Sequence, residues 1–169
     1  MSPETLRALQ APLKERYRAE PEAALITLKA EGSVDEASVA CKVDTGRALV
    51  TAGLHPATGG SGLEACSGDM LLEALVACAG VTLKAVATAI GVELRSGNVR
   101  AEGDVDFRGT LGVDREAPVG FRAIRLAFDL DTDAPEDKID QLIKLTERYC
   151  VVFQTLSRRP ELSVETRRT

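Results

Sequence analysis

The chain has 169 residues, which suits one domain with a sizeable core or one subunit of an intertwined oligomer. Hydrophobic residues make up 44%, which excludes wholesale disorder; with no Trp and 4% aromatics, the core has to be built from Leu, Val, Ile and Ala. A net charge of -5 without a Lys/Arg cluster argues against a nucleic-acid partner, and the Arg158-Arg159 and Arg167-Arg168 pairs read as an exposed tail.

The first twenty residues are polar and hold no apolar signal core. The nearly apolar run Leu71 to Leu83 contains Glu73, ends at Lys84 and is read as too short to span a bilayer. The expectation is a cytoplasmic protein with no membrane role. Pro3-Glu4 opens an amphipathic segment with Leu6, Leu9 and Leu13, which predicts an N-terminal helical extension over about 3–18, stopped near Pro21. Ala24 to Ala30 reads as a strand. Val39 to Val43 and Arg47 to Thr51 follow, with turns at Gly32-Ser33 and Asp44-Thr45-Gly46, so an antiparallel meander is expected. Gly53 to Gly68 reads as a mobile loop. Its Gly59-Gly60-Ser61-Gly62 run lacks the Gly-Lys-Ser/Thr ending of a phosphate-binding loop.

Ser67 to about Ile90 is the most informative segment. Ser67 is expected to cap a helix, Asp69 to favour its first turn through the dipole, and Gly91 to end it. Apolar residues fill almost every face, so this helix has to run through the middle of the fold or through a subunit interface. Val92 to Phe107 reads as one or two strands with a turn near Ser96-Gly97-Asn98, and Arg108 to Gly120 as a loop. In Phe121 to Leu130 the set Arg122, Ile124, Leu126, Phe128 and Leu130 is largely apolar, which predicts a half-buried strand. Asp133 ahead of Pro135 signals a helix start, with Ile139, Leu142, Ile143 and Leu145 as the buried stripe. Cys150 to Leu156 reads as another short helix and Leu162 to Val164 as a last strand. Strands, a long helix, strands and then helices make an α+β layout.

The four cysteines are Cys41, Cys66, Cys78 and Cys150. None forms a C-x-x-C pair, and the single histidine, His55, sits in a His-Pro turn. Neither a metal site nor a cofactor is therefore expected. Cysteines in apolar helices are more often small core residues than nucleophiles, and Cys41 and Cys66 are read that way, with Cys66 as a rival thiol just ahead of the long helix.

Two motifs change the reading for the other pair. One is L-L-x-A-L-x-A-C at Leu71, Leu72, Ala74, Leu75, Ala77 and Cys78. The other is C-x-V-x-x-T-L at Cys150, Val152, Thr155 and Leu156. With Gly103 to Val113 and Val119 to Leu126 between them, they resemble the OsmC/Ohr family from roughly Ala24 onward. The resemblance implies a single OsmC-like domain over 1–169, with the helical extension outside the match. It also implies an intertwined homodimer whose antiparallel sheets wrap two central helices. In the family's hydroperoxide reductases two cysteines act in turn. By resemblance, Cys78 is the peroxidatic thiol and Cys150 the resolving one, with an organic or fatty-acid hydroperoxide as substrate. A dithiol, often a lipoyl group, acts as reductant.

The chemistry sets a requirement. An unshifted thiol is only ~3% ionised at pH 7, and bringing it to a pKa near 6 takes about 3.4 kcal/mol of differential stabilisation. Cys78 lies too deep in its helix for the dipole to supply that, so a cationic side chain is expected to reach it. The reductases carry an arginine after the first strand, often as Gly-Gly-Arg; the corresponding stretch here is Glu31-Gly32-Ser33-Val34, and Arg47 is the nearest candidate. Their glutamate ten residues before the nucleophile corresponds to Gly68. The neighbouring Asp69 falls on the far side of a regular helix from Cys78 and is read as a helix-start residue. The proline that follows their second cysteine is Val151 here. Arg108 and Arg122 are read as fold residues or surface charges rather than substrate clamps. The rival function is a non-catalytic relative that binds a small apolar ligand or senses thiol-reactive compounds.

Overall fold

The computed structural model describes residues 2–5, 8, 11, 19, 31–34, 40–44, 49–112 and 114–168, and of 31–34, 40–44 and 49 it describes the backbone alone. The strand expected over Ala24 to Ala30, the side chain of Cys41, Arg47 and much of the N-terminal extension lie outside the described residues. Within that extension Pro3, Glu4, Thr5, Ala8 and Ala11 are helical, and so is Ala19 just beyond it.

Three antiparallel strands come first, in meander order: β1 (Glu31–Val34), β2 (Ala40–Asp44) and β3 (Leu49–Gly53). The turn expected at Gly32-Ser33 is not there. Gly32 pairs with Val43 and Ser33 with Lys42, so the ladder to β2 overrides the local preference of these residues for turns. The segment read as a loop also carries order. Pro56–Thr58 forms a 3-10 turn capped by His55, whose Nδ1 accepts the Ala57 amide at 3.0 Å. β4 (Ala65–Cys66) then joins β3 in parallel.

α1 (Ser67–Ile90) has the predicted span. Its cap is Cys66 rather than Ser67, which is already helical; Asp69 sits in the first turn, and Gly91 closes the helix at φ 73° with its amide on the Ala87 carbonyl. Leu75, Ala79, Leu83 and Ala87 form one buried stripe at spacing four. Against that stripe lie a two-stranded antiparallel ribbon, β5 (Ser96–Val105) and β6 (Phe121–Asp131), joined through α2 (Phe107–Thr110), and two further helices, α3 (Glu136–Tyr149) and α4 (Val151–Ser157). By length and composition α1 could cross a membrane, contrary to the expectation from its apolar run, but its buried stripe is part of the chain's own core.

β5 runs straight through the turn expected at Ser96-Gly97-Asn98, pairing those residues with Asp131, Leu130 and Asp129. Glycine suits this place because a Cβ on Gly97 would press on Leu130 Cδ2 at 3.3 Å. β6 alternates as read from Ile124 to Leu130, but its first residues reverse. Asp104 pairs with Ala123 and Val105 with Phe121, so Arg122 is an extra residue at a bulge and points outward. Phe121 takes the inward place and closes on Gly103, where a Cβ would lie 2.4 Å from the ring.

α3 starts at Glu136 after Pro135, without a side-chain cap. Asp133 instead shares Arg95 with Asp131, which lies 2.5 Å from the guanidinium. Leu142 is fully buried in α3, and Thr146 is buried beside it with its hydroxyl on the Leu142 carbonyl at 2.8 Å. The strand expected at Leu162 to Val164 is absent. In the isolated chain no ladder partner lies alongside among the described residues, and Leu162 and Val164 are 75% and 95% exposed.

Candidate functional site: a thiol pair between two helices

Cys78 lies midway along α1, on the flank of the buried stripe, and is half-buried. Cys150 is fully buried and packs with Leu75 and Ala79. Its backbone, at φ -73° and ψ 108°, ends α3 and starts α4 with no loop between them. The Cys150 amide donates to the Thr146 carbonyl at 2.9 Å, and its carbonyl accepts from the Gln154 amide at 2.9 Å. One residue therefore satisfies the backbone at two helix ends. The break also aims the first amides of α4 across at α1.

Those amides meet Cys78. Burial pushes the Cys78 thiol up, but it is outweighed by the nearby Val152 backbone, the Cys150 thiol, the Val151 backbone and the Thr82 hydroxyl; the net shift is downward. Cys150 moves the opposite way. Burial pushes it up, and the neighbouring Cys78 adds to this. The two thiols are thus neighbours, both reduced, and shifted in opposite directions. Such a pair can present one sulfur as a nucleophile and keep the other as a protonated partner beside it.

Among the described residues no cation contributes to the Cys78 shift, and Arg47, the candidate named for that place, lies outside them. The groups that draw its ionisation downward are two backbone amides, a thiol and a hydroxyl. The departure at Val151 has a direct consequence, because a proline there would have no N–H to give. Sequence reasoning missed Thr82; its one legible signal was a hydroxyl four residues after Cys78, on the same helix face.

The other residues singled out lie elsewhere. Arg108 pairs with Asp106 at 2.6 Å and Asp114 at 3.4 Å, and Arg122 stands 3.8 Å from Asp106, which makes both surface charges as read. Asp69 stays at the helix start. At Gly68 the atoms nearest the place of a Cβ belong to Phe121 and Cys66, at 3.5 and 3.6 Å. Cys66, His55, Asp69, Phe107 and Phe121 border a separate open cavity of about 370 Å³, where the His55 ring stacks on Phe107 at 4.9 Å. Among the described residues, no cluster of His, Cys, Asp and Glu could hold a metal ion.

A helix with a thiol at its middle, a second thiol at a helix junction and antiparallel sheets beside them match a known class. Residues 60–165 match the OsmC-like protein family, and the chain belongs to that family. No curated protein matches the chain by sequence. Among solved structures, the OsmC-like protein of Mycoplasma pneumoniae is 19% identical, with a TM-score of 0.65 over 78% of this chain and 88% of that one. The organic hydroperoxide resistance protein OsmC of Legionella pneumophila is 15% identical, with a TM-score of 0.61 over 79% and 90%. The organic hydroperoxide resistance protein OhrB of Bacillus subtilis is 18% identical, with a TM-score of 0.53 over 80% and 94%. At these identities the likeness is one of fold.

Proposed function

We propose that the protein reduces organic or fatty-acid hydroperoxides with its thiol pair, as a cytoplasmic homodimer in oxidative-stress defence. The observation that carries this reading is the contact between Cys78 and Cys150 with their opposite shifts. The Cys78 thiolate attacks the distal peroxide oxygen, the O–O bond breaks, and the alcohol leaves with a proton. Cys78 is then a sulfenic acid. Cys150 condenses with it, a disulfide forms and water leaves; a dithiol, of lipoyl type in related reductases, restores both thiols by exchange. Burial of Cys150 suits the resolving role, since a protonated thiol packed beside Cys78 does not compete for peroxide.

An open cavity of about 360 Å³, lined in part by Leu75, Ile124, Leu126, Phe153 and Leu156, adjoins the same two helices and suits an apolar substrate. It would equally suit a non-catalytic relative that holds a small apolar ligand. Turnover of cumene hydroperoxide with dihydrolipoamide separates the two readings. Cys78→Ser is expected to abolish turnover. Cys150→Ser is expected to spare the first oxidation of Cys78 and to stop dithiol-driven cycling. Equal rates for wild type and Cys78→Ser would assign the chain to the binding reading.

A further inference from the structure

We infer that Gln154 is a positioning residue of the thiol pair: its side-chain amide, bonded to the Glu147 carbonyl, keeps the chain bent at Cys150 and so keeps that thiol beside Cys78. The assignment rests on the proposed two-thiol chemistry, since it concerns how the two sulfurs meet, but it does not need a peroxide as the oxidant.

A helix that ends leaves its last carbonyls without amide partners. α1 settles this at Gly91, whose left-handed backbone returns its own amide and that of Val92 to the Ala87 carbonyl. α3 has no glycine at its end. Cys150 takes that place at φ -73° and ψ 108°, and α4 begins at the next residue. The Cys150 amide still bonds to the Thr146 carbonyl at 2.9 Å, but its ψ swings the following amides off the helical path. In an unbroken helix the Glu147 carbonyl would take the Val151 amide. Here it takes Gln154 Nε2, at 2.8 Å. The Gln154 backbone amide meanwhile donates to the Cys150 carbonyl at 2.9 Å. Gln154 therefore reaches back over the bend with its side chain and closes it from the front with its backbone.

The bond selects between two shapes of the same segment. Without a donor from elsewhere, the Glu147 carbonyl gains a partner by taking back the Val151 amide, which closes the bend and joins α3 to α4. A side chain follows its backbone, so closure would carry the Cys150 sulfur out of its cluster with Leu75, Ala79 and Cys78. With Gln154 on the carbonyl, that alternative loses its gain. The packing of fully buried Cys150 also opposes closure, so removing Gln154 shifts the balance between the shapes rather than abolishing one of them.

The test is the equilibrium of the Cys78–Cys150 disulfide in the folded full-length protein against dithiothreitol, read by peptide mass spectrometry after acid quenching. The cyclic disulfide of dithiothreitol takes two electrons and two protons from the pair; its S–S bond breaks as the one in the protein forms. Gln154→Leu keeps the bulk and removes the donor. Its equilibrium is expected to lie about fivefold further toward the dithiol, the worth of one ordinary hydrogen bond. Gln154→Lys brings a donor back on an unbranched side chain and is expected to lie nearer wild type. Gln154→Glu puts an ionised acceptor in the same shape and repeats the removal if the leucine variant folds poorly. A change that only loosened the fold would lower the unfolding midpoints of the reduced and oxidised proteins alike and leave the equilibrium between the folded forms in place. A Gln154→Leu equilibrium that matches wild type, or a Gln154→Lys equilibrium displaced as far as Gln154→Leu, overturns the assignment. A displaced Gln154→Leu equilibrium in a protein that turns over no hydroperoxide supports the role of Gln154 and removes the peroxidase reading. An undisplaced one in an active peroxidase does the reverse, and a wild type that forms no Cys78–Cys150 disulfide overturns both.

Discussion

A side chain near the surface can be held by its neighbours as firmly as a buried one, and Asp106 illustrates this. Its carboxylate accepts from the Arg108 side chain at 3.0 and 2.6 Å and from the Arg108 amide at 3.2 Å, with Arg122 beyond. The Arg108 guanidinium leads these in lowering the carboxyl from 3.8 to about 2. A lowered carboxylate contributes stability that is present above its unfolded value and is lost as pH falls through the folded one. Asp106→Asn keeps an acceptor for the Arg108 amide but removes the charge. It is expected to lower the urea midpoint at pH 7, with the difference shrinking as pH falls below about 4 and disappearing only below about 2. The thiol residues were legible for another reason. Cys78 and Cys150 stood out through their motifs, not through any local property, since a cysteine among apolar residues looks the same whether it packs or reacts. What holds Cys78 was not legible. Backbone amides carry no sequence signature, and α4 aims its first amides only because the chain bends at Cys150.

At the scale of elements, α1 and β6 show what periodicity can and cannot specify. The span of α1 was readable because Ser67 to Ile90 holds no breaker strong enough to interrupt it before Gly91. β6 was readable from Ile124 onward, but the bulge that turns Arg122 out and Phe121 in depends on β5 across the ribbon. The misread turns at Gly32-Ser33 and Ser96-Gly97-Asn98 have the same origin: a glycine and a small polar residue signal a turn only when no neighbouring strand claims them. α1 also leaves one matter open to test. Its stripe of Leu75, Ala79, Leu83 and Ala87 is covered, while Val81 on another face is 73% exposed and Leu71 is also exposed. In the proposed homodimer, a second copy of the chain would give this helix its remaining cover. Wild type is then expected to elute at twice the 18.0 kDa chain mass under light scattering. Val81→Asp, which would place an unpaired charge in that interface, is expected to elute as the monomer. A wild type of 18.0 kDa would remove the dimer from the proposal.

At the scale of the whole molecule, the α+β class followed from the sequence, while the order of elements did so only in part: β1 and β4 lie where a turn and a loop were expected, and the last strand is absent. The meeting of Cys78 with Cys150 needed the fold, because roughly seventy residues separate them. Those residues include both strands of the ribbon and all of α3. A bond between the two sulfurs would fasten the middle of the longest helix to the joint of the last two, and it would fasten the unfolded chain as well. Tying so long a loop removes freedom mainly from the unfolded state, by up to about 4 kcal/mol in the chain-entropy picture. Thermal unfolding after one equivalent of hydroperoxide is therefore expected at a higher midpoint than in excess dithiol, and Cys150→Ser is expected to erase the difference. The oxidised and reduced proteins would then differ in lifetime as well as in chemistry: each catalytic cycle would briefly produce a form that a protease finds harder to open.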